Sequence, residues 1–297
     1  MTAPSGKDAV PGPEHASSSA LRAPEFLSIL EGELRGGTIE LPSWSKVTER
    51  ARNALSRPEI DNDELAKLLG AEAGLAVRVL TVANSALFTR GGRPLSDLRL
   101  AIMRIGHDNL RSAVYSYALA QLRQAPRLQH LRASLQRMWH ESTTVAALTR
   151  LVAVRTASCD PDAALLAGLL HNIGKLYILA RLDDSAWAGL DQTERATLLL
   201  SWHARLGGMV AANWQLGDAL SVAITEQETL DATSSGQSAL GAALAVAVIG
   251  ASAEAGDASV ATHLATFTRF AIDTPGWLQL LEQSRAESAG LRAAFGD

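Results

Sequence analysis

The chain has 297 residues, 47% hydrophobic, 20% charged and 5% aromatic, with a formal net charge of −4. So large an apolar share excludes a disordered chain, and the mild acidity argues against a surface that is a nucleic-acid footprint throughout. One cysteine, Cys159, excludes an internal disulfide framework and a cysteine-rich zinc site, in keeping with a cytoplasmic setting.

Residues 1–24 hold Pro4, Pro11, Pro13, Pro24 and a serine run at 17–19, and read as a flexible leader without a secretory pattern. Phe26 to Leu34 suits a short helix stopped at Gly36 and Gly37. Leu41-Pro42-Ser43 opens the next helix, with Ser43 as N-cap and Trp44, Val47, Ala51 and Leu55 on one stripe. Pro58 ends it. Asp61 or Asn62 then caps a helix with Leu65, Leu68 and Leu69 inward. The following helix turns Leu75, Val79, Val82 and Ala83 inward and Arg78 outward. After Pro94, Ser96 and Asp97 open a tract with Leu98, Ile102 and Ile105 on its apolar face, and Gly106 is its stop. Leu110, Val114, Tyr117 and Leu122 mark the next helix.

In the second half, Leu131 to Ala157 reads as one long helix. Asp160-Pro161 is a stop-and-start signal, with the proline at the first helical position. The helix from Asp162 onward, ALLAGLLHNIGKLYILARL, is apolar almost all round and belongs in the middle of the fold. Three shorter stretches follow at 194–203, 204–214 and 218–228. Beyond the linker TSSGQS lies the longest apolar tract, Ala239 to Ala253, too short for a membrane span. An amphipathic segment ends at Gly296. With few aromatics and no alternation of strand and helix, the chain reads as an all-α bundle of about a dozen helices.

Charge is unevenly spread: residues 1–40 sum to −3, residues 41–130 to +5 and residues 131–297 to −6. Arg78, Arg99, Arg104 and Arg111 belong to the basic part. They are either an ordinary solvated face or a docking patch for an acidic partner or a phosphate-bearing ligand.

The informative stretch is Gly168 to Leu176, where His171-Asn172 interrupts the most apolar helix. Buried polar groups without partners cost about 1–3 kcal/mol each, so the pair needs a reason. With Asp at 172 it would be the HD dyad, an imidazole and a carboxylate on adjacent residues gripping a divalent metal that activates water. The chain here resembles the HDOD domain, the non-catalytic HD-related output domain of bacterial signalling proteins. Leu41-Pro42 looks like that family's LP motif, and Val82-Ala83-Asn84-Ser85-Ala86 like its LANSA segment. Pro94 to Gly106 is similar to its P-(I/V)-x-S tract, and Ala167 to Leu176 to its AGLLHDIGKL run except at Asn172. His203-Ala204 with Gly207 or Gly208, then Trp214, resembles its later segments.

The resemblance implies an HD-like core with an N-terminal helical subdomain. The HDOD-like part would be residues 25–230, divided at 130, with residues 231–297 as a C-terminal helical extension packed on the same domain. Catalytic relatives use further His and Asp ligands. Here His140 stands one position away from the family's W-x-H slot, and Glu226-Gln227 stands where a His pair is expected. A neutral carboxamide binds a divalent cation far more weakly than a carboxylate. No catalytic residue, metal or cofactor is therefore expected. His171 and Asn172 are either a hydrogen-bonded buried pair or, with Lys175 and His203, a vestigial pocket for a small ligand such as a nucleotide. The implied role is regulatory, through signalling partner proteins, around cyclic-dinucleotide pathways, motility or biofilm control. A divergent metal-dependent HD phosphohydrolase is the alternative; nucleic-acid binding is not expected.

Overall fold

Side-chain caps set six of the helix starts among the described residues. The structure, a computed structural model, describes residues 23–36, 45–57, 59–89, 91–182, 190–229, 236–254 and 270–296, and every regular element among them is helical. Helix α1 (Ala23–Arg35) already begins inside the stretch read as leader and buries Phe26, Leu27, Leu30 and Leu34; residues 1–22 lie outside the described residues. α2 (Lys46–Leu55) is capped by Ser45, whose side chain accepts from the Thr48 amide at 3.1 Å. The expected cap was Ser43, which with Leu41, Pro42 and Trp44 lies outside the described residues. Ser45 is fixed in that role by a tertiary contact, since its hydroxyl donates to the Glu72 carboxylate.

Asp61 caps α3 (Asn62–Gly70), and α4 (Ala73–Ala83) follows with Leu75, Val79, Val82 and Ala83 buried as the sequence predicts. Arg78, expected to face outward, instead donates from Nη1 to the Ala294 carbonyl at 3.0 Å. The sequence pattern of α4 carries no trace of the helix 216 residues later that covers this face. The short α5 (Ala86–Thr89) leads to α6 (Leu98–Arg123), which is kinked at Gly106, where φ is 74° and ψ 170°. That glycine ends one helix as expected, and the next resumes at once; the positive φ is cheap for a residue without Cβ.

A 3₁₀ turn (Pro126–Leu131) precedes α7 (Arg132–Thr156), which ends at Ala157 in the left-handed conformation with φ 49°. α8 (Pro161–Leu170), capped by Asp160, and α9 (Ile173–Leu182) were expected to be one helix. They are two, separated by a turn at His171 and Asn172. The His171 carbonyl takes the Gln227 side-chain amide at 3.0 Å, so the break is satisfied from another part of the chain. α10 (Gln192–Ser201) starts with an Asp191/Glu194 capping box. α11 (His203–Asn213), α12 (Asp218–Thr225), α13 (Ala239–Glu254) and α14 (Thr274–Phe295) complete the order.

α7 is the central post, with α8, α13 and α14 packed along it. Small residues permit the closest crossings. A Cβ on Gly168 would fall 2.3 Å from Ala146 Cα on α7, and one on Gly174 only 1.9 Å from the His203 carbonyl on α11. These two glycines set how near the α8–α9 break can approach its neighbours. By length and composition alone the run Pro161–Arg181 could cross a membrane, but 83% of its most apolar window is buried within the protein.

Candidate functional site

Five segments meet at the α8–α9 break. α7 contributes Glu141, the break His171 and Asn172, α9 Lys175, the first residue of α11 His203, and the turn after α12 Gln227 and Glu228. His171 Nδ1 donates to the Gly168 carbonyl at 2.7 Å, which turns Nε2 toward Glu141 Oε1 at 3.6 Å. The same oxygen is 3.8 Å from Lys175 Nζ. His203 Nε2 stands 3.4 Å from Glu228 Oε1. His171, Asn172 and His203 are buried, while Glu141 and Glu228 keep 41% and 48% of their side chains in solvent. The site is thus a buried floor of two imidazoles and a carboxamide under an ionic rim.

Burial pushes the Glu141 carboxyl up, but His171, then Lys175 and Asn172, outweigh it and hold it at about 2. Burial lowers His203, helped by the nearby charges of Lys175 and His171, to about 4; the backbone at Leu200 and Leu199 pulls weakly the other way. His203 is therefore a neutral imidazole near pH 7. Glu228 is shifted up by burial, with Lys175 opposing. The Asn172 side chain stands within hydrogen-bonding reach of the Glu141 carboxylate and helps hold it down.

The four residues singled out in the sequence, His171, Asn172, Lys175 and His203, do come together here. Glu141 and Glu228 were not singled out, although the W-x-H comparison held the signal for one of them: Glu141, and not His140, occupies that slot. His140 is exposed and contacts Gln136 at 3.0 Å. Gln227 and Glu226 have structural uses, the first on the His171 carbonyl and the second accepting from the Ser238 amide and hydroxyl at 3.2 and 2.9 Å.

The arginines are occupied separately. Arg104 donates to the Arg93 carbonyl at 2.9 Å and, at 3.3 Å each, to the Ala83 carbonyl and Asn84 Oδ1. Arg111 donates to the Leu55 carbonyl at 2.8 Å and to Asp108, while Arg78 is held by α14. Only Arg99 of the four makes a solvent-exposed ion pair, with Asp63 at 2.6 Å. Three of them therefore brace elements against one another.

A divalent metal does not fit these residues. Among the described residues no three His, Cys, Asp or Glu side chains converge as ligands. Asn172 supplies no negative charge, and the Lys175 ammonium already stands beside the one carboxylate near His171. A second cation would be repelled by the first.

The chain matches the model of the HDOD domain over residues 41–230. An HDOD domain protein of unknown function from Geobacter sulfurreducens superposes with a TM-score of 0.57 at 25% identity, covering 89% of this chain and 91% of that one. A candidate metal-dependent phosphohydrolase from Shewanella amazonensis SB2B gives a TM-score of 0.68 at 21% identity, covering 90% and 99%, which is a likeness of fold. An uncharacterised protein of Treponema pallidum is 27% identical over 191 residues, 60% of this chain; the match spans only 35% of that relative's length.

Proposed function

Because this chain belongs to the HDOD domain family, we propose that it is a non-catalytic regulatory domain of bacterial signal transduction, acting through protein partners or a small ligand. The observation that carries the reading is the Glu141–Lys175 contact beside a neutral Asn172. A hydrolytic HD centre needs a metal to lower the pKa of water and to neutralise the developing charge on phosphorus. Here an ammonium ion answers the carboxylate, and His203 and Glu228 make a second pair instead of adding ligands. A nucleotide remains a fitting ligand class, the site of action would be the cytoplasm, and cyclic-dinucleotide signalling, motility or biofilm control are the settings the family suggests.

The competing reading, a divergent phosphohydrolase, draws on the Shewanella protein's description and its shared fold. Turnover of bis(p-nitrophenyl) phosphate with manganese present separates the two. The regulatory reading expects no activity above that of the His171→Ala variant. Multiple turnover abolished by that substitution would replace it with hydrolysis.

A further inference from the structure

Between Asp108 and Glu141 the sequence carries five arginines, Arg111, Arg123, Arg127, Arg132 and Arg137, and no acidic residue. Three of them, Arg127, Arg132 and Arg137, are exposed on the 3₁₀ turn and the first turns of α7. Arg127 donates to the Ala180 carbonyl at 3.3 Å and Arg137 to the Ser134 hydroxyl at 3.1 Å, each through Nη2. None of the three makes an ion pair among the described residues. Elsewhere on the surface Arg57, Arg99 and Arg205 meet Glu64, Asp63 and Glu31 at 2.8, 2.6 and 2.8 Å. Interspersed signs are the ordinary arrangement of a protein surface, and a patch of one sign sets up a field that attracts the other.

On α7 the patch is ordered. Arg132, Gln136 and His140 recur at four-residue steps, so they share one face over about 12 Å, and Arg137 flanks it. Gln136 Nε2 lies 3.0 Å from His140 Nε2. Beneath them Leu128, Leu135 and Trp139 are buried, so the exposed face offers neither a ring for base stacking nor apolar surface to enter a membrane. One turn beyond Arg137 the basic run ends at the carboxylate of Glu141. A nucleic-acid duplex, with one charge per ~1.7 Å, would bring about seven phosphates over that length and run on across Glu141. We propose that this face docks an acidic helix of a partner protein, with carboxylates at three- and four-residue steps. The guanidinium forks of Arg132 and Arg137 take carboxylates bidentately, and the Gln136 amide adds a donor between them. A partner seated there stands at the rim of the α8–α9 site, because Glu141 follows Arg137 by one turn. The inference goes beyond the regulatory reading by giving it a surface and a kind of partner.

The probe is a fluorescent, alanine-based helical peptide with glutamate at every fourth position, titrated with the full chain at low salt and read by anisotropy. Saturable binding is expected, weakening as salt is added. Arg132→Glu with Arg137→Glu should weaken it by about ten-fold or more, and the milder Arg132→Gln with Arg137→Gln several-fold. Arg93→Glu with Arg99→Glu makes the same change in net charge at exposed positions off this face, and should leave binding within about two-fold of the wild type. No saturable binding would overturn the proposal. So would equal loss in the two double reversals, which would reduce the effect to net charge, or equal binding of a peptide carrying lysine in place of glutamate. A DNA duplex bound more tightly than the peptide, and released by the Arg132 and Arg137 substitutions, would overturn it in favour of a phosphate-backbone surface.

Discussion

Lys175 Nζ lies 3.8 Å from Glu141 Oε1, joining α9 to α7 across the site by an ion pair whose carboxylate also faces His171. Burial alone would raise Glu141; its neighbours reverse that and leave it at about 2, against 4.5 for an unperturbed glutamate. A carboxyl depressed in the folded state stabilises above its unfolded pKa, and that contribution is lost as pH falls from about 4.5 toward 2. Glu141→Gln should therefore be less stable than the wild type near pH 6, with the gap narrowing as the pH falls below 4.5 and closing toward 2. Denaturant midpoints measured across that range check it, and a gap independent of pH would refute the coupling.

His203 has the opposite chemistry and the same sign of pH dependence. Its imidazole is buried and lowered from 6.5 to about 4, so below pH 6.5 the unfolded chain takes up a proton that the folded chain refuses. Stability should fall between pH 6.5 and 4, by at most on the order of 3 kcal/mol from this group, and then level off. His203→Gln should flatten that segment of the profile. An imidazole titrating near 6.5 in the folded protein, followed by NMR, would contradict the burial argument.

The crossing of α9 and α11 makes a sharper steric prediction. Gly174→Ala would place a Cβ 1.9 Å from the His203 carbonyl and 2.7 Å from the Gly207 amide. Both are backbone atoms, so α9 and α11 must part, at a cost of about 1–3 kcal/mol or more. Gly290→Ala, on the exposed face of α14 with nothing within 4 Å, is the matched control and should gain roughly 0.5–1 kcal/mol. Paired unfolding curves distinguish the two; equal effects would mean that helix propensity, not packing, decides both.

Local chemistry was readable from the sequence, and long-range chemistry was not. Asp160-Pro161, Asp61 and Gly106 mark real boundaries because capping and positive φ are properties of a few adjacent residues. The break at His171-Asn172 was hidden because its carbonyl is satisfied by Gln227, 56 residues away. Arg78 was placed outward for the same reason, since the helix that accepts its hydrogen bond comes at the other end of the chain. Within the site, motif order located His171, Asn172, Lys175 and His203. Glu228, in a turn, carries no periodic signal, and Glu141 is marked only by its place in the W-x-H slot; the fold brings both to the rim.

Whether the centre holds a metal separates regulation from hydrolysis most directly. Elemental analysis of the wild-type chain, purified without chelator and then equilibrated with manganese, iron or zinc before desalting, reads this directly. Each metal should remain well below one ion per chain, at the level found for His171→Ala, because Lys175 and Asn172 leave no anionic cage to retain it. One or two ions per chain, lost on His171→Ala, would contradict the account and restore a hydrolytic centre.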